Sequence, residues 1–156
     1  MPIADGPHIQ KQTDLGNEAV LAAKRRLRRA ERWVRQRVGD SAYTTAVNAS
    51  DQDGATKPYS DDTLLREDVK DAEALYAASQ ALKNHNLGSG GEAGFVKVVQ
   101  VDGEQSERKM SQRELDAYAS DLKAEAREAI ARHMSASSNP LSTTMQRTTN
   151  WPSYST

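Results

Sequence analysis

Three histidines are the side chains best suited to acid–base or metal chemistry in this chain of 156 residues, and their spacing serves neither. His8, His85 and His133 each stand alone, with no second ligand three or four positions away, so no local zinc set or nucleophile–histidine pair can be written. Asp51-Gln52-Asp53-Gly54 resembles part of a calcium loop. Aligning Gly54 with the invariant glycine of that loop, however, puts Ala49 at the first ligand position and Ser60 where a bidentate glutamate belongs. Gly88-Ser89-Gly90-Gly91 lacks the lysine and hydroxyl that follow the glycines of a phosphate-binding loop. Cysteine is absent, which removes disulfide and thiolate chemistry. The many carboxylates fall on amphipathic stretches, where they read as solvated faces. No catalytic residue, cofactor or metal site is expected.

The arginines remain. The formal net charge is −1, yet Lys24 to Arg37 holds eight basic residues and one acid, so the rest of the chain carries −8. Arg25, Arg26, Arg28, Arg29, Arg32 and Arg35 are the candidate DNA-facing residues: guanidinium groups contact phosphates by charge, without reading bases, and such binding weakens steeply with salt. The competing reading pairs this segment with the acidic stretch from Asp51 to Leu87, net −4, within or between subunits. The arginines are spread over more of the helix circumference than one acidic partner could cover, which favours nucleic acid.

The elements that would position these residues can be read in order. Residues 1–13 contain Pro2, Gly6 and Pro7 without periodicity and read as an arm. Residues 14–39 read as one basic helix closed by Gly39, with Val20, Ala23, Leu27, Ala30, Val34 and Val38 as its single buried seam, Leu21 off it and Trp33 at its edge. Residues 40–60 read as a linker loop. Ser60 can cap a second helix, with Asp61 and Asp62 in its first turn and Leu64, Leu65, Val69, Ala72, Leu75, Tyr76 and Leu82 as its apolar stripe. Val96, Val98, Val99 and Val101 then favour a strand, Asp102-Gly103 suits a type I′ turn, and Glu104 to Lys109 can return alongside. Met110-Ser111-Gln112-Arg113-Glu114-Leu115 combines a capping box with a hydrophobic staple. It opens a helix whose stripe is Leu115, Tyr118, Ala119, Leu122, Ala126, Ala129 and Ile130.

Leu, Ile, Val and Phe make up only about 15% of the chain, so a thin core that depends on neighbouring chains is expected. Met1 to Gly16 shows no signal-peptide pattern, and Phe95 to Val101 is too short to cross a bilayer, so no membrane role is expected. Residues 135–156 read as an extended arm: Arg147 is the one charge, eleven residues are Ser or Thr, and Trp151 and Tyr154 stand near the end. Those two aromatics, with Phe95 and Val99 of the strand, are the candidate partner-docking residues. A disordered terminus with incidental aromatics is the alternative.

The order helix, strand, Asp102-Gly103, polar strand and Ser111-capped helix with Leu115-Asp116-Ala117-Tyr118 resembles the W-type (gpW-like) head-to-tail joining proteins of tailed bacteriophages, over residues 61–134. The resemblance implies an α+β, mainly helical fold: a helix, β-hairpin, helix core with an added N-terminal basic helix and an extended C-terminal arm, neither of which has a family counterpart. It further implies a non-enzymatic structural protein of the virion head–tail interface. Such a protein would form a homo-oligomeric ring, a dodecamer, between the portal protein and a tail or neck protein and facing packaged DNA. A non-sequence-specific nucleic-acid-binding module built on Arg25 to Arg37 is one alternative function, and a scaffolding or assembly protein another.

Overall fold

The computed structural model describes residues 1–52, 57–84, 96–101 and 104–134. Six α-helices are present among them: α1 (Gly6–Gln12), α2 (Asn17–Lys24), α3 (Leu27–Val38), α4 (Asp40–Asn48), α5 (Asp61–Asn84) and α6 (Gln112–Ala129). A short 3₁₀ turn, Ala131–His133, follows α6. Strands β1 (Val96–Val101) and β2 (Glu104–Lys109) pair antiparallel with each other alone.

α5 is the axis of the fold. Its 24 residues extend roughly 36 Å at 1.5 Å per residue, and α1, α2, α3, α4 and α6 all pack on it. It starts where Ser60 Oγ accepts from the Thr63 amide at 3.2 Å, with Asp61 and Asp62 complementing the dipole. From Ala72 to Leu82 every residue is buried, which removes any wet face from that stretch. Alanine makes this possible: Ala72, Ala74, Ala77, Ala78 and Ala81 let neighbouring helices approach from several sides at once. Close to half of the buried apolar residues described are alanine. A core built this way is contiguous despite the low content of large aliphatic residues, which counts volume and misses close backbone approach.

The expected helix, β-hairpin, helix core is therefore overturned. The fold is mainly helical, and the core residues whose burial is described lie on helices apart from Ala4, Leu15 and Ile130 beside them. β1 and β2 run in register from Val96 with Lys109 to Val101 with Glu104. The helices of the first fifty residues pack on α5 together with α6, and a two-stranded ribbon is too small to organise a core by itself. Asp102 and Gly103 lie outside the described residues.

Residues 1–13 hold the helix α1 and pack on the core rather than forming an arm. The Asp5 side chain accepts from the His8 amide, Pro7 lies in the first turn, and Ile9 is fully buried. The single helix expected over 14–39 divides at Arg25–Arg26 into α2 and α3, yet all six seam residues are buried across the break. Gly39 closes α3 at φ +90°, a conformation that suits glycine, and α4 begins at once in place of a linker, burying Tyr43 and Ala46. At the start of α6 both capping-box bonds form, Ser111 Oγ accepting from the Glu114 amide and the Glu114 carboxylate from the Ser111 amide.

Candidate functional site

α3 is positioned by what it buries. Leu27, Ala30, Val34 and Val38 face α5, and Trp33 is 8% exposed. The Trp33 ring stacks on Tyr76 of α5, centroids 4.2 Å apart and planes 16° from parallel, while the Arg37 guanidinium lies 4.0 Å from the Trp33 centroid on the other side. Arg37 also donates to the Trp33 carbonyl at 3.2 Å. Burial and the nearby Arg127 charge lower its pKa from the usual arginine value. An aromatic pair and a cation–π contact of this kind contribute on the order of 1 kcal/mol each, so α3 is held against rotation about its own axis.

That setting turns the opposite face to solvent. Arg25, Arg28, Arg29 and Arg32 are all exposed; Arg28, Arg29 and Arg32 share one face of α3 at three- and four-residue steps, and Arg25 caps the end of α2 just before it. None of the four side chains has a hydrogen-bond or ion-pair partner among the described residues. The other two candidates differ. Arg26 is half-buried at the corner between α2 and α3. Arg35 is exposed but engaged by Asp40, with its guanidinium 5.6 Å from the Tyr43 centroid; the Asp40 hydrogen bond and charge raise its pKa.

Arg28 and Arg29 sit in the first turn of α3, where the helix dipole is already positive, whereas Arg25 caps the C-terminal end of α2, where a cation is favoured. Cations in the first turn of α3 are unfavourable by some tenths of a kcal/mol each, and the row adds mutual repulsion. Nothing described within the chain offsets this.

In the acidic segment, Asp51, Glu67, Asp68, Asp71 and Glu73 are engaged by other groups. Asp51 accepts from Arg66 Nε at 2.8 Å and lies 3.6 Å from Lys70 Nζ, and the Arg66 hydrogen bond is the main reason its pKa is lowered. Asp68 accepts from Arg132 Nε at 2.7 Å and pairs with His133 Nε2 at 2.6 Å. Asp71 meets His8 Nε2 at 2.7 Å and Gln12 Nε2 at 2.8 Å. Glu73 is fully buried, accepting the Ile3 and Ala4 amides.

These contacts correct the view of His8 and His133 as isolated: each is held by a carboxylate more than sixty positions away, which local spacing could not show. The burial of Glu73 was equally invisible, the only hint being its place among alanines. An open cleft of about 460 Å³ lies between α5 and α6, lined by Asp68, Glu125, Glu128, Ala129, Ala131 and Arg132. Among the described residues no group of three His, Cys, Asp or Glu could hold a metal ion, and no helix is long and apolar enough to cross a membrane. Of the docking candidates, Val99 lies opposite Ser106 in the strand register, and Phe95, Trp151 and Tyr154 lie outside the described residues, as do Asp53, Gly54 and His85.

No protein-family model matches the chain, and no curated protein or solved structure matches it significantly.

Proposed function

We propose that the chain is a non-enzymatic nucleic-acid-binding module that lays α3 against the sugar–phosphate backbone of a duplex. The observation that carries this reading is the row Arg28, Arg29 and Arg32 on α3, with Arg25 at the end of α2 just before it, all exposed and without a described side-chain partner beside a helix face fixed by burial. Free guanidinium groups in a row suit a line of phosphates. The aromatics beside the row are turned inward, Trp33 onto Tyr76 and Tyr43 into the core, so α3 offers bases no stacking surface and contact falls on the backbone. The narrower reading as a head-to-tail adaptor leaned on a helix, hairpin, helix core. Its surviving support is the same arginine row, which would face DNA leaving a capsid.

The test is fluorescence anisotropy of a labelled duplex of about 30 base pairs over roughly 50 to 300 mM salt, with the wild-type chain and a variant carrying Gln at positions 25, 28, 29 and 32. Each phosphate contact contributes about 0.9 to the slope of log affinity against log salt, so the variant is expected to lose about 3 to 4 from that slope along with most of its affinity. Unchanged affinity and slope would defeat the proposal.

A further inference from the structure

Glu73 has no part in the arginine row, and it is where the first four residues are held. It lies within the buried stretch of α5, 0% exposed. Its Oε2 accepts from the Ile3 amide at 2.7 Å and from the Ala4 amide at 2.9 Å. Its Oε1 meets the Tyr43 hydroxyl of α4, which also lies 3.2 Å from the Met1 carbonyl oxygen. One carboxyl group thus joins α5, α4 and the segment 1–4, whose Ala4 is buried against the core.

Its partners are two amides and a phenol, with no cation. The charged groups that face it make ionisation harder or act from a distance. Glu31 of α3 repels a second negative charge, and its carboxylate is itself taken by the Met1 amino group at 3.0 Å. Arg35 lies beyond the Tyr43 ring, 5.6 Å from its centroid, and is paired with Asp40.

We propose that Glu73 is a proton-operated clasp: gaining a proton closes the 1–4 segment onto α5, and losing it lets the segment lift away. The hydrogen-bond inventory gives the reason. Protonated, Glu73 donates from Oε1 to the Tyr43 oxygen, Tyr43 donates to the Met1 carbonyl, and Oε2 still accepts both amides; every group is satisfied and no charge is buried. Ionised, the carboxylate draws the single Tyr43 proton to itself. The Met1 carbonyl then loses its donor, and a charge without a counter-cation is left in apolar surroundings, a cost that opening to water relieves. Burial, the largest influence, raises the Glu73 pKa above the usual glutamate range, and the three donors oppose it without cancelling it. The closed form therefore binds the proton more tightly than the open form. Closure is complete below the ordinary carboxyl range and is lost as pH rises through the raised value.

Amide hydrogen exchange on the full chain from about pH 4.5 to 8 tests this, each rate divided by that of the same amide in an unfolded chain. Protection at Ile3 and Ala4 is expected to fall as pH rises, by about tenfold for each unit separating the closed and open pKa values. Glu73→Gln, whose amide reproduces the donor and acceptor of the protonated acid, is expected to hold the acid-side protection at every pH. Flat protection at Ile3 and Ala4 in the wild-type chain, or a Gln variant that follows the wild-type profile, overturns the proposal. Should Glu73→Gln fail to fold, Tyr43→Phe serves in its place. Losing a donor that favours ionisation moves the release of Ile3 and Ala4 to higher pH, and a midpoint that stays or moves down overturns the proposal.

Discussion

α3 and α5 are both rich in charge and lie against each other, yet they use charge in opposite ways. On α5 the charged side chains tie other elements to the axis. Asp71 holds α1 through His8 and Gln12, Asp68 holds the turn after α6 through Arg132 and His133, and Arg66 donates from Nη1 to the last carbonyls of α4, Ala46 and Val47, at 3.0 Å each. Arg28, Arg29 and Arg32 of α3, with Arg25 just before it, tie nothing described. Charge on α5 meets partners inside the chain; the outward charge on α3 meets none among the described residues.

The sharpest way to break that contrast is to show that α5 is not the axis. Leu82 is fully buried near its end, so Leu82→Ala is expected to lower unfolding free energy by about 2–5 kcal/mol in urea titrations. A loss well under 1 kcal/mol would mean that this end of α5 is loosely packed. Asp71→Ala comes next, at about 1–3 kcal/mol, because it leaves the buried His8 without its acceptor; a smaller loss at pH 7 would show that the α5 carboxylates are as idle as the α3 arginines. Ser111→Ala removes the α6 cap and is expected to cost about 1 kcal/mol. Smallest of all, Arg28→Gln and Arg32→Gln should each shift stability by no more than about 0.5 kcal/mol in either direction, while each removes about one unit from the salt slope of duplex binding. Destabilisation above 1 kcal/mol at either position would put the row among the folding contacts and end the distinction.

Sequence patterns showed some of this directly. The α3 seam, its closure at Gly39, the Ser60 cap and the Ser111–Glu114 box depend on neighbours within four residues, and the structure holds them as expected. The α1 helix was hidden because seven residues are too few for a period to show, and α4 because Ser, Thr and Ala resemble a loop when Tyr43 and Ala46 are its only buried residues. α5 looked amphipathic because its large apolar residues form a stripe; the alanines filling the remaining faces carry no hydrophobic signal, although they let it become the centre. The arginine row was legible in composition, but which members remain unpartnered depended on Asp40 for Arg35 and Trp33 for Arg37, both of which required the fold. The contacts of Glu73 with Ile3 and Ala4 and of the histidines with their carboxylates span more than sixty residues, beyond any local pattern.

The Arg37–Trp33–Tyr76 stack gives the molecule a built-in optical gauge. An indole held between a cation and a second ring changes its emission when either neighbour withdraws. The seating of the arginine-bearing helix can therefore be followed by light in a titration with duplex, without attaching a dye to the chain.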